Sequence, residues 1–385
     1  MRSKLFCSAR ISFFVRLRAI SLGAILSLAA TPSRAESALA RYIGASSCAT
    51  ASCHGGAGDQ RDQWVRWNAK DVHRRSGATL TMARSVQIGA AAGIRDVADD
   101  ARCTVCHAPF AGVPTAQRIG PLDRGDGVSC ETCHGPAEPW IRAHTRTAKD
   151  GYTHSDKVAA GLRDLRNPYV RANTCVACHE NVDRELLKAG HPELIFELDG
   201  QTAAEPRHWM ERTGWDGGRA WLVGQAVALR EVSWQLARPG QSDSRLVARQ
   251  AGLLWVVQRA SRAIGQNTFV SLAVQSSADK TRAAADDLAK DVASRPWAPG
   301  LTTAVLKQLA SAAEDFRDAG TPAEIQARRG ERLVLALDRL LAASDRALET
   351  RLDAEMKELF RLAQSLPDFN PANFAAALEK FAAKL

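Results

Sequence analysis

Four short cysteine–histidine motifs constrain this 385-residue chain more than any other feature of its sequence. Three have the form CxxCH: Cys103, Cys106 and His107; Cys130, Cys133 and His134; Cys175, Cys178 and His179. The remaining motif comes first and has a wider gap, running from Cys48 to Cys53 and His54. Of the nine cysteines, only Cys7 lies outside this set. CxxCH is the attachment signal for c-type haem, and the wider spacing is a variant of it. Each thiol adds to a haem vinyl group as a thioether, and one helical turn presents both sulfurs along one porphyrin edge. The next residue then lies where its imidazole bonds the iron. Zinc hairpins use the same cysteine pairs but require no histidine directly after each. Disulfides leave four Cys-His dipeptides unexplained, and a redox CxxC would occur once rather than four times. The expectation is therefore four covalently attached haem c groups with their iron, ligated on one side by His54, His107, His134 and His179.

The start of the chain agrees with this. Arg2, Lys4, Arg10, Arg16 and Arg18 precede an apolar run from Ile20 to Ala30, and Ala35 ends a small-residue cleavage pattern. That reads as a signal peptide over 1–35, because the run is shorter than the ~20 residues a membrane-spanning helix needs. Haem is attached outside the cytoplasm, so a periplasmic protein without a transmembrane segment after cleavage is expected. The formal charge of +9 is largely carried by the same 35 residues, and the remainder has 45 basic and 42 acidic residues. A basic groove for nucleic acid is unsupported. Eight haem propionates would make the mature protein acidic.

Five histidines remain for the far side of four irons: His73, His144, His154, His191 and His208. A second imidazole makes a low-spin electron-transfer iron, whereas an empty position admits a small molecule. Met82 and Met210 could offer thioether ligands, but the supply of histidines makes them unnecessary.

The surroundings of these histidines resemble a family. Trp64 followed by His73, the run Gly127-Val128-Ser129-Cys130-Glu131-Thr132-Cys133-His134-Gly135-Pro136 followed by His144, then Gly190-His191-Pro192 and Pro206-Arg207-His208-Trp209, together look like multihaem cytochromes of the cytochrome c-554 type. The resemblance covers Ser47 to Trp209. It implies a mainly α fold wrapped round four stacked haems, with distal ligands donated from remote segments. Carried over by position, His73, His144 and His191 are the distal candidates, with His208 the fourth. His154 matches no element of the family and reads as a surface histidine. The sequence alone does not assign a distal histidine to an iron. Larger relatives often carry a further CxxCH, which this chain lacks.

Cys48 to His191 spans 144 residues, or 36 for each haem, too few to enclose every cofactor in a conventional apolar core. Short helices joined by long loops are expected over 36–209, with the porphyrins forming much of the core and several of its 17 arginines pairing with propionates. From 210 to 385 there is neither cysteine nor histidine. Leu333, Leu337, Leu341, Leu348, Leu352, Met356, Phe360 and Ala363 fall on a 3.6-residue stripe. Thr321-Pro322-Ala323-Glu324 reads as a helix start with Thr321 as N-cap and Pro322 at N1, and Asn370-Pro371 as another. Leu246 to Ile264 reads as a buried helix, and Pro296 and Pro299 break the pattern. A haem-free helical bundle or long-helix domain follows.

The function expected is a tetrahaem c-type cytochrome relaying electrons between redox partner proteins. The alternative is a haem enzyme acting on a small nitrogen or sulfur compound at an open-site iron. No acid–base constellation dedicated to such chemistry stands out, so no catalytic residue is assigned and a carrier is the preferred reading.

Overall fold

The structure, a computed structural model, describes residues 39–58, 61–209, 211, 215–240, 243–272, 276–364 and 368–385. The expected signal peptide, with Cys7, and Met210 lie outside the described residues. Those described are mainly α-helical, as expected. They include no β-strand, and the one isolated bridge joins Tyr42 to Arg118. None of their helices is long and apolar enough to cross a membrane.

Up to residue 209 the helices are short, and three of them end on a motif histidine: Ala101–His107, Cys130–His134 and Pro168–His179. Local chemistry sets their starts. The Asp100 carboxylate accepts from Arg102 N. Asn167 accepts from Tyr169 N and Val170 N, with Pro168 at the first helical position, where its missing N–H costs nothing. The first motif, with its wider gap, begins in a short 3-10 turn, Ala45–Cys48, and continues through turns. Gly127 adopts φ +60°, and a Cβ there would meet the His73 carbonyl oxygen at 2.5 Å. Only glycine lets the strand-like approach to Cys130 pass so close to the His73 backbone.

Beyond it, Gly217–Ala237 packs along Ala278–Ser294, while Ser244–Ala263 packs on Ala323–Ser344 and Leu301–Ala310. Leu333, Leu337, Leu341 and Leu352 of the apolar stripe are buried, but the stripe crosses three helices, broken at Asp345 and Leu352. The stripe survives those breaks because each successive piece turns its apolar face to the same core. Asn370 caps its helix with Pro371 at N1, as its sequence suggests. At the other expected start Pro322 is itself the cap and Thr321 Oγ1 donates to Asp318, one residue off the sequence reading. Pro296 and Pro299 fall between helices ending at Ser294 and starting at Leu301.

One apolar core runs from Ala172 and Val176 on the Pro168–His179 helix through Phe196 and Leu198 to Phe374 and Phe381. The helix that carries the last motif therefore docks directly on the long helices, chiefly Gly217–Ala237. Gly224 lets the start of the Leu198–Ala204 helix pack close on the same long helix: a Cβ there would stand 2.7 Å from Leu198 Cβ.

Candidate functional site

All eight motif cysteines and all nine histidines line a single cavity of about 2570 Å³. Sites for one small ligand hold about 300–1,000 Å³, so this space suits several large groups rather than one. Trp64, Trp67, Trp140, Trp209 and Trp215 also line it, giving flat apolar walls. The eight cysteines carry no disulfide. Cys48 lies beside Cys130 and Cys106 beside Cys178, and Cys133 lies within electrostatic reach of Cys175. The motifs thus follow one another in space as first, third, fourth and second.

Three motif histidines face a second imidazole. His54 and His144 have ring centroids 6.0 Å apart, His73 and His179 5.9 Å, and His107 and His191 6.4 Å. A metal bonded to one nitrogen of each ring at about 2.0 Å holds the two centroids roughly 6 Å apart.

In each of the six rings Nδ1 is already engaged. His54 Nδ1 is 2.7 Å from Gln63 Oε1, and His144 Nδ1 is 2.7 Å from the Ile141 carbonyl. His73 Nδ1 meets Asp71 Oδ1 at 3.0 Å and Glu205 Oε1 at 3.3 Å, while the Gln201 amide abuts His179 Nδ1 at 3.2 Å. His107 Nδ1 lies 2.9 Å from Thr79 Oγ1, and His191 Nδ1 2.8 Å from the Pro192 carbonyl. The Gln201 amide nitrogen is a donor and does not set the tautomer of His179. An oxygen partner on Nδ1, as at His54, His73, His107, His144 and His191, accepts its proton, fixes the ring and leaves Nε2 toward a metal. His154 does the opposite: its Nε2 is 2.9 Å from Asp164 Oδ1.

His134 differs. Among the described residues no imidazole faces it at that spacing, and His208 contributes to its electrostatic environment. Burial pushes the His134 pKa down to about 4, so the ring stays neutral with a lone pair to give. His208 is held in the same direction by burial. Its ring meets Trp209 edge-on at 5.0 Å, and its Nδ1 is buried without a hydrogen-bond partner. Burial likewise favours the neutral forms of His107, His144 and His179. Burial also raises the Cys133 thiol to about 12 and the Cys175 thiol to about 11.

Arg163 Nη1 donates to the carbonyls of Thr132 (2.6 Å) and Cys133 (3.0 Å), and Arg171 pairs with Glu211 at 2.6 Å. These two cavity-lining arginines bond to protein groups. Sequence reasoning missed the residues behind the ligands: Gln63, Asp71, Thr79, Gln201 and Glu205. Only Asp71, two positions before His73, leaves a local trace. Met82 is exposed at the cavity wall.

The donor set fits c-type haem: paired thiols, an imidazole after each pair, and, for three of the four, an opposing ring at a metal-bridging distance. Residues 47–135 match the family model for cytochrome c554 and c-prime, a stretch that takes in the first three motifs and ends directly after His134. No curated protein and no solved structure matches the chain.

Proposed function

We propose that this chain, whose residues 47–135 match the family model for cytochrome c554 and c-prime, is a c-type cytochrome that acts as a periplasmic electron carrier with four covalent haems. The three opposed histidine pairs carry this reading. Cys48 and Cys53, Cys103 and Cys106, Cys130 and Cys133, and Cys175 and Cys178 would hold the groups. His54 with His144, His107 with His191 and His179 with His73 would supply axial nitrogens. Bound haem supplies an iron that cycles between Fe(III) and Fe(II).

The chain's own residues do the rest. Partners on Nδ1 keep each ring aimed across the cavity, so little rearrangement accompanies a change of charge at its centre. An iron held by two such imidazoles would have no position left for a small molecule, which suits a relay. Close succession of the motifs brings the sites near one another. Redox partner proteins follow from the role, and c-type cytochromes are typically exported, in line with the N-terminal pattern.

One observation favours a second reading. His134 has no opposing imidazole among the described residues, so the third site has the open face an enzyme would need. A pyridine haemochrome assay together with carbon monoxide added to the reduced protein tests both. Four haems and an unchanged spectrum are the result expected of the carrier. Carbon monoxide binding at one iron in four would favour the enzyme, and two or three haems would remove Cys48 and Cys53 from the set first.

A further inference from the structure

Glu180 follows His179 directly and is completely buried. Its Oε1 accepts from Arg249 Nη2 at 2.5 Å and from Arg332 Nη2 at 3.4 Å, and its Oε2 accepts from Phe196 N at 2.8 Å. Both arginines come from the long helices that carry no cysteine or histidine, Ser244–Ala263 and Ala323–Ser344, and each is 4% exposed. Arg249 reaches further along the chain: Nη2 donates to the Leu194 carbonyl at 3.0 Å and Nη1 pairs with Glu193 at 3.0 Å. Arg328 and Arg245 close on Glu193 at 2.8 Å and 3.3 Å.

The segment from His191 to Glu197 has no regular secondary structure, yet Phe196 within it is fully buried. Its ends are anchored, by His191 N donating to the Leu186 carbonyl at 2.9 Å and by Phe196 in the apolar core, and the arginines hold the stretch between them through Glu193 and the Leu194 carbonyl. Burying charged groups in apolar surroundings is justified energetically only when their partners are fixed, which makes such a cluster a geometric constraint more than a source of stability. It pins two chain positions: the end of the Pro168–His179 helix, beside His179, and the arm just after His191, which faces His107.

We infer that the haem-free helices position iron ligands, with Arg249, Arg332 and Arg328 setting the His191 arm and the His179 helix end through Glu193 and Glu180. These are positioning residues, since none touches the cofactor cavity at a ligand atom. The inference rests on the proposed four-haem reading. The His107–His191 pair depends on the cluster most directly, because Glu193, two residues after His191, is held by three arginines. The His54–His144 pair lies on other segments and is independent of it.

The test uses the full-length, haem-loaded protein. Arg328→Gln and Glu193→Gln are compared with Arg328→Lys and with the Arg328→Gln/Glu193→Gln double variant, which removes both charges of that pair together and keeps the test open should a single variant fold poorly. Electron paramagnetic resonance and a redox titration are read on each. Expected is partial or full conversion of one iron in four from low-spin to high-spin in Arg328→Gln, with a changed potential at that centre only, and recovery in Arg328→Lys. Spectra and four potentials identical to the parent in Arg328→Gln and in the double variant, even with a lowered melting temperature, would overturn the positioning role. A parent protein lacking four haems would instead refute the underlying reading.

Discussion

Glu131 lies between the two cysteines of the third motif and is 1% exposed. Its carboxylate accepts from the backbone N–H of Gly44 at 2.8 Å, of Ala137 at 2.7 Å and of Ile43 at 3.1 Å. It thereby ties the segment leading to Cys48 to the helix carrying Cys130. Glu131→Ala leaves the Gly44 and Ala137 donors buried without an acceptor, and each such orphan costs about 1–3 kcal/mol. The loss expected is about 2–6 kcal/mol, with the half-exposed Ile43 N–H recovering water. Glu131→Gln keeps a carbonyl oxygen with two lone pairs but turns an NH2 toward the third donor, so about 1–3 kcal/mol is expected. Urea unfolding of the haem-loaded protein, followed by far-UV circular dichroism and Soret absorbance, should show midpoints falling in the order parent, Gln, Ala with a common slope. An alanine variant within about 0.5 kcal/mol of the parent, the range of an ordinary surface change, would refute this account.

Other expectations concern ligation, pH and packing. His144→Ala should convert one iron in four to high-spin, because its ring is the one facing His54, and an unchanged low-spin resonance spectrum would dismiss the pairing. Burial raises Glu197 from 4.5 to about 8. The folded state therefore binds a proton that the unfolded state releases between those values, and stability should fall as pH climbs from about 4.5 to about 8. Glu197→Gln should flatten that slope, and an unaltered pH profile in urea titrations would count against the buried acid. Gly224→Ala should cost about 1–3 kcal/mol through overpacking on Leu198, which a denaturation midpoint equal to the parent's would contradict.

What was readable from the sequence is what is encoded within a few residues. CxxCH needs one helical turn, so the helices ending at His107, His134 and His179 follow from the spacing itself. The cap at Asn370, the breaks at Pro296 and Pro299 and the apolar stripe from Leu333 are equally local, and they too have structural counterparts. Thr321-Pro322 shows the limit: the pattern locates a helix start but misplaces it by one residue, since Asp318 competes for the Thr321 hydroxyl.

The choice of which imidazole faces which belongs to the tertiary structure. His54 meets His144, His73 meets His179 and His107 meets His191 because helix packing and the Gly127 approach bring distant segments together. No periodicity records such a meeting. The same holds for Arg249 and Arg332 on Glu180: a buried charge is tolerated only when a partner from elsewhere in the chain arrives beside it, and sequence separation hides that arrival. Covalent capture of a cofactor can be written in a handful of adjacent residues. Closing its opposite face requires the whole fold.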